Sequence, residues 1–433
     1  MVNTIQSYDW GSVSEIPRLT GIENAGGEPM AELWIGAHAR APSKVRRDGL
    51  LIPLPELFSR EPERTLGKAA GRRFDGRLPF LLKILSAARP LSIQAHPDRA
   101  QAREGFARED ACGIPRDAFE RSYRDDNHKP ELIRAVTEFR ALRGFRSYAD
   151  IAEELGGGEF TVLGNTVEEL RRSPGADSLR RVFAALLSAS PHEISNAARR
   201  RAEARLSQVP DAERERYRWV ETLYEHFGED RGLAAPLYLN YIRLEPGQAM
   251  FLPAGTLHAY LGGTGVEIMA NSDNVLRGGL TNKHVDTEEL MRTLVFEPDE
   301  PVIQQPGPMG RNSLHRFSAP VSEFVLEEVA LDGRFRRERA VGAPEVVLLL
   351  AGHANVTAVA DAAQTGGPEP DSASPSESTQ SIELTGGASA FVGAETGSYE
   401  VAGKGRVFIA SIPHAENTEA IETEASETEA NGK

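Results

Sequence analysis

A chain of 433 residues with 40% hydrophobic and 26% charged side chains has the make-up of a globular protein, long enough for two or three domains with separate cores. A formal net charge of −15 argues against general nucleic-acid binding, which calls for a basic face, and the single cysteine, Cys112, excludes an internal disulfide framework. No apolar run approaches a membrane span, and MVNTIQSYDWGS lacks a basic stretch before an apolar one, so a cytoplasmic address is expected. In chain order, residues 1 to about 145 alternate strand-like runs such as MAELWIGAH and RLPFLLKILS with Gly/Pro turns. From Tyr148 to Phe227 the spacing becomes helical, as in SYADIAEEL, DSLRRVFAALLSAS and DAERERYRWVETLYEHFG; the last sets Tyr217, Val220, Leu223, Tyr224 and Phe227 on one face. Strands return from Leu237, and after the connector QQPGPMG short β-like runs continue to Pro413.

The expected fold class is mainly β with a helical insertion. Residues 1–147 and 232–310 form one β domain, 148–231 a helical subdomain, and 311–413 a second β module. GGPEPDSASPSESTQ, near 363–380, and the acidic tail 414–433 have the composition of disorder. Setting LEPGQAMFLPAGTLHAY (244–260) over LTGGASAFVGAETGSYE (384–400) aligns Leu, Gly, Phe, Ala and Thr without a gap and places His258 on Ser398. Two related β modules, the second without the histidine, would produce that match.

Four segments could carry chemistry. In LSIQAHPD, strand alternation puts Ser92, Gln94 and His96 on one face and Leu91, Ile93 and Ala95 on the other. In DDNHKPEL, Pro130 biases Lys129 toward an extended conformation, so Asn127, Lys129 and Glu131 share a face. In GQAMFLPAGTLHAYLGG, Gly247, Pro253, Gly255 and His258 fit a spacing that resembles the second signature of the cupin β-barrels, with Gly262 where that pattern ends in Asn. The fourth, GVEIMANSDNVLRGGLTNKHVD, gathers Glu267, Asp273, Arg277 and Lys283 directly after that histidine. A solvated surface is the plain alternative for each, and a satisfied core histidine for His258. Jointly they offer one amide oxygen, two imidazoles and a carboxylate, a donor set zinc accepts with positions left for water or substrate.

QAH, NHKPE, PAGTLHAY and NSDNVLRGGLTNKHVD, in that order, resemble the type I phosphomannose isomerase family, as do YDWG (8–11) and AELWIGAHARAPS (31–43). The resemblance runs to about residue 300 and more loosely through the C-terminal module. It implies a cupin-type jelly-roll catalytic domain and a second cupin-like module. It further implies a zinc-dependent aldose–ketose isomerase interconverting mannose 6-phosphate and fructose 6-phosphate, serving mannose and GDP-mannose metabolism. By the same resemblance Gln94, His96, Glu131 and His258 hold one zinc ion, and Arg277 is an active-site cation. Candidates for proton transfer are Glu267, Lys283, Asp273, His128 and Lys83, with Glu267 and Lys283 first because they flank Arg277. For the substrate side the candidates are Lys129, Ser92, Lys83, Trp10 and Glu32. A sugar-phosphate substrate, no nucleic-acid or membrane partner, and a monomer complete the expectation. A non-catalytic sugar-binding cupin and a cupin oxygenase are the competing readings; the acid/base groups of 267–283 disfavour the first, and the Gln ligand and cations the second.

Overall fold

The computed structural model describes residues 1–306, 310–339, 342–359 and 381–413; the segment near 363–380 and the tail 414–433 lie outside the described residues. Contacts divide the chain into two compact units, one of residues 1–85, 266–271 and 304–433, the other of 86–265 and 272–303.

In the second unit, strand Ile93–Ala95 pairs with both His258–Ala270, which belongs to this unit as far as Gly265, and Leu276–Gly279. Phe139–Phe145 lies between His258–Ala270 and Leu239–Leu244, and Glu131–Ala135 pairs with Ala249–Leu252. The helical run from Tyr148–Leu155 to Asp211–Phe227 shares one core with these strands. Ile93, Ala95, Leu142, Phe145 and Leu276 pack in the same cluster as Val182, Phe183, Ile194, Val220 and Leu223. The helices thus bury the apolar face of the strand whose other face carries Gln94. Each side chain of that size contributes roughly 1.5–3 kcal/mol when fully buried, which fixes the strand's orientation, because a one-residue slip would turn Gln94 inward.

In the first unit, Thr4–Gln6, Glu32–Gly36 and Phe80–Ala87 pair antiparallel. The C-terminal module carries Val325–Arg337, Glu345–Ala358 and Tyr399–Ser411 as long strands, with Leu314–Phe317, Ser381–Thr385 and Ser389–Val392 alongside. The long strands fold over on themselves: Arg337 reaches Glu327, ten residues back on the same strand, at 2.6 Å. The bend falls where Gly333 pairs with Gly403 and Gly352 with Gly405. Gly352 has φ +104°, and a Cβ on Gly403 would lie 2.2 Å from the His353 carbonyl oxygen, so neither position admits a side chain. The folded sheet encloses Val329, Leu331, Val347, Leu349, Val401, Val407 and Ile409. The module rests on the first 85 residues through Phe58 against Phe391 (5.4 Å between rings) and Arg64 with Glu395.

The cupin-type architecture expected from the sequence is present, with one correction. Among the described residues the strand pairings form open paths rather than a closed barrel; folding at glycines brings the inner faces together through side chains instead of a continuous ladder.

The internal match seen in the sequence has structural counterparts. Ala249–Leu252 and Ser389–Val392 occupy the same aligned positions, and each is followed by a 13-residue strand, His258–Ala270 and Tyr399–Ser411. The bending glycines correspond too, Gly263 with Gly403 and Gly265 with Gly405.

Candidate metal centre

His96, Glu131 and His258, all buried, bring their ligand atoms within 4.8 Å of one another. His96 follows strand Ile93–Ala95, Glu131 opens its strand directly after Pro130, and His258 opens the long strand beyond the turn at Gly255. Each imidazole has its Nδ1–H committed to a backbone carbonyl, His96 to Asn274 at 2.8 Å and His258 to Thr256 at 2.9 Å. That leaves both Nε2 lone pairs facing the Glu131 carboxylate, at 3.4 Å for His96 and 3.7 Å for His258.

Burial and then the Lys129 ammonium push His96 down to about 4, and burial lowers His258 as well, so both imidazoles are neutral near neutral pH, each with its single proton on Nδ1. Burial works to raise Glu131, but Lys129 and the two histidines outweigh it and hold the carboxyl well below its ordinary range. The result is an ionised carboxylate beside two neutral nitrogens with their lone pairs toward it. His96 Nε2 has no hydrogen-bond partner among the described residues. Two nitrogen lone pairs and a carboxylate thus converge, with Lys129 against one carboxylate oxygen, and a divalent cation accepting nitrogen and oxygen donors fits them.

Gln94 lies opposite both His258 and Arg277 in the strand register, and His258 also opposes Arg143. Directly opposed residues share a face, so Arg277, Gln94, His258 and Arg143 form one polar row across four strands. Gln94 donates from Nε2 to Ser92 Oγ at 3.1 Å. Arg277 is lowered by burial first and by Arg124 second, and its Nε has no partner among the described residues. Lys129 Nζ lies 2.9 Å from Glu131 Oε1. His128 contacts Arg99 at 2.8 Å, the Asp273 N–H donates to Asp125, and the Lys283 N–H donates to Thr281 Oγ1.

The remaining expected residues fall in the first unit. Lys83, Glu32 and Glu267 form a buried triad in which the ammonium lies 2.9 Å from Glu267 and 3.3 Å from Glu32. Trp34 Nε1–H donates to Glu32 at 2.7 Å, and Trp10 stacks on Tyr8. Glu267, a first candidate for proton transfer in the sequence reading, has Lys83 as an ion-pair partner. It passed over Asn274, whose carbonyl orients His96 and whose side chain ties the backbone of Arg124, Asp125 and Asn127 together. Only its place in NSDN hinted at such a role. Arg143 was also missed, because an arginine in RALRGF reads as a surface residue until the register is known.

The jelly-roll scaffold and the His/Glu/His cluster define a metal-binding protein of the cupin type. Residues 1–148 match the family model for the phosphomannose isomerase type I catalytic domain. Mannose-6-phosphate isomerase of Escherichia coli (strain K12) is 37% identical over 413 residues, covering 94% of this chain and 97% of the relative. A mutant phosphomannose isomerase from Salmonella typhimurium superposes with TM-score 0.82 at 35% identity, covering 95% of this chain and 98% of that one. A zinc-bound mannose 6-phosphate isomerase gives 0.81 at the same identity and coverage. The chain belongs to the type I phosphomannose isomerase family.

Proposed function

We propose that this chain is a zinc-dependent isomerase interconverting mannose 6-phosphate and fructose 6-phosphate, with Gln94, His96, Glu131 and His258 as the zinc ligands. The observation that carries it is the orphaned His96 Nε2, aimed with His258 Nε2 at an ionised Glu131, in a chain of this family.

Moving a carbonyl between C1 and C2 means taking a proton from the carbon beside it and holding the enediolate that results. Zinc supplies a Lewis acid that polarises substrate oxygens. Arg277, on the row of the ligands and with an Nε–H uncommitted, donates toward developing negative charge; burial leaves its cation little screened by water. The Asn274 and Thr256 carbonyls hold the two imidazoles in the tautomer that keeps Nε2 available. Glu267, Lys283, Asp273, His128 and Lys83 are the proposed proton-handling groups, beside the electrostatic role of Arg277. Lys83 balances Glu267 and Glu32, a set in which one carboxylate can take a proton without leaving the ammonium unpaired. Lys129, Ser92, Lys83, Trp10 and Glu32 are proposed for the substrate side.

In this reading 1–147 and 232–310 form the catalytic domain, 148–231 supports it and 311–413 is a second cupin-like domain. The protein is a monomer of the cytoplasm with no nucleic-acid partner. No described helix is long and apolar enough to cross a membrane. The test is a coupled assay of mannose 6-phosphate conversion before and after metal stripping, then with zinc restored. Activity lost on chelation and regained with zinc is expected. Folded, zinc-loaded protein without turnover would sink the isomerase and leave the sugar-binding cupin.

A further inference from the structure

The two β modules correspond beyond the aligned segment. In the metal-bearing module Leu252 pairs with Glu131 and Ala249 with Arg134; in the C-terminal module Val392 pairs with Glu345 and Ser389 with Leu348. Leu252 and Val392 occupy the same aligned position, so Glu345 stands where Glu131 stands. Each glutamate opens its strand directly after a proline, Pro130 or Pro344. Ser398, aligned with His258, directs its Oγ–H to Glu338 at 2.9 Å.

Among the described residues, no imidazole pairs with Glu345. Arg337 lies 3.0 Å from Oε1, Tyr399 donates to Oε2 at 2.7 Å, and Arg339 approaches at 3.7 Å. Fixed guanidinium groups occupy the place a metal ion would take. They adjoin a cavity of about 220 Å³ lined by Arg316, Arg337, Arg339, Glu338 and Glu345, with Ala343 where the other module has Lys129. Three guanidinium groups there face two buried carboxylates, Glu327 and Glu345, while Glu338 is matched by Arg336. Arg316 spends Nε and Nη2 on Glu327, and Arg337 spends Nε and Nη2 on Glu327 and Glu345. Neither Nη1 has a partner among the described residues, and neither belongs to the buried unpaired atoms. Arginine forks of this kind match the oxygens of a phosphate or phosphate ester.

We propose that the C-terminal module holds a small oxyanion, phosphate or a phosphate ester, in this cavity, beside the arginines that stand where its counterpart is built for a metal. The net cationic lining supplies the attraction and the two open guanidinium edges supply directional donors. The volume is several times the roughly 30 Å³ a water molecule occupies in the liquid, room for a phosphate with part of its ester. Zinc has no place there, because its donor nitrogens are missing and its charge is already replaced. The proposal does not depend on the isomerase reading, and its test does not read turnover.

Crystals of the full chain soaked in selenate, a phosphate-sized oxyanion with anomalous scattering, should show a peak within hydrogen-bond distance of Arg316 and Arg337. In solution, calorimetric titration with inorganic phosphate should reveal a site that Arg316→Gln weakens at least tenfold. Arg316 is 51% exposed at its side chain, so this variant keeps the fold. Arg311→Gln, at an exposed ion pair with Asp332 outside the lining, should leave the affinity unchanged. Tighter binding of a sugar phosphate than of inorganic phosphate at the Arg316-dependent site would assign the ester; equal binding would assign the free anion. No anomalous peak in the cavity, or a phosphate isotherm indifferent to Arg316→Gln, would overturn the proposal.

Discussion

Glu131 and Glu345 hold equivalent register positions on related strands, yet only the first has lone pairs facing it beside its cation. Glu131 meets one ammonium and two neutral imidazoles whose lone pairs point at it. Glu345 meets two guanidinium groups and a tyrosine hydroxyl, all donors. The first arrangement presents converging nitrogen lone pairs with no donor to meet them and can take a cation; the second, surrounded by N–H and O–H donors, is complete without one. The scaffold therefore specifies where a carboxylate is buried, and the residues opposite decide whether it becomes a ligand or one half of an ion-pair network.

The sharpest way to break this comparison is to neutralise each glutamate in turn. Glu131→Gln should abolish stoichiometric zinc binding and lower kcat/KM by about 1,000-fold, equivalent to about 4 kcal/mol of transition-state stabilisation. Zinc analysis of the purified variant beside the coupled assay reads both. Glu345→Gln should leave zinc at one per chain but cost about 3–4 kcal/mol in stability, because Arg337 would keep a buried charge without its full counter-charge. Urea unfolding followed by tryptophan fluorescence measures that cost. A Glu345→Gln protein that lost its zinc, or lost no stability, would remove the distinction drawn between the two sites.

A pH series sharpens the comparison further. In metal-free protein His96 titrates at about 4, below the ordinary histidine value of 6.5. Between these values the unfolded chain binds a proton that the folded chain does not. Stability is therefore fully present above pH 6.5 and falls as the pH drops, by up to about 3 kcal/mol once both values are passed. His258, lowered in the same direction, adds to the slope. Unfolding midpoints at pH 7 and pH 5 in the presence of chelator should differ accordingly, and His96→Gln should flatten the difference. A slope that survived His96→Gln unchanged would place the proton elsewhere.

The metal strand was legible in the sequence because its physical demands are local. A period of two separates Gln94 from Ile93 and Ala95, and the structure puts the apolar pair in the helical core. The helical run was equally readable, since Tyr217, Val220 and Leu223 recur at helical spacing and are buried. What stayed hidden depends on register. Asn274 and Thr256 act through backbone carbonyls, which no residue type announces. Arg143 acquires its place beside His258 only when two distant strands pair. The Glu345 counterpart was written in the sequence as a Pro-Glu pair before an apolar run, but it sits at a different offset from the 244–260 match. The gapless comparison that aligned His258 with Ser398 could not reach it. Closed barrels were expected where glycine bends fold the sheets over, because composition reports glycines without saying which carbonyl passes them.

The smallest effect belongs to the substitution that most resembles a restoration. Ser398→His returns an imidazole to the position aligned with His258, and the carboxylates of Glu345 and Glu338 lie on the neighbouring strand and segment. Were ligand identity sufficient, a second zinc would bind. The guanidinium groups of Arg337 and Arg339 already stand against Glu345, and a divalent ion would have to approach two fixed cations at short range in a poorly solvated cavity. Ser398→His alone should therefore leave zinc at one per chain by metal analysis. Adding Arg337→Met and Arg339→Met should be required before any second equivalent appears. A second zinc in the single variant would mean that the arginines yield, and that the two modules differ by one histidine rather than by the charge built around their shared carboxylate.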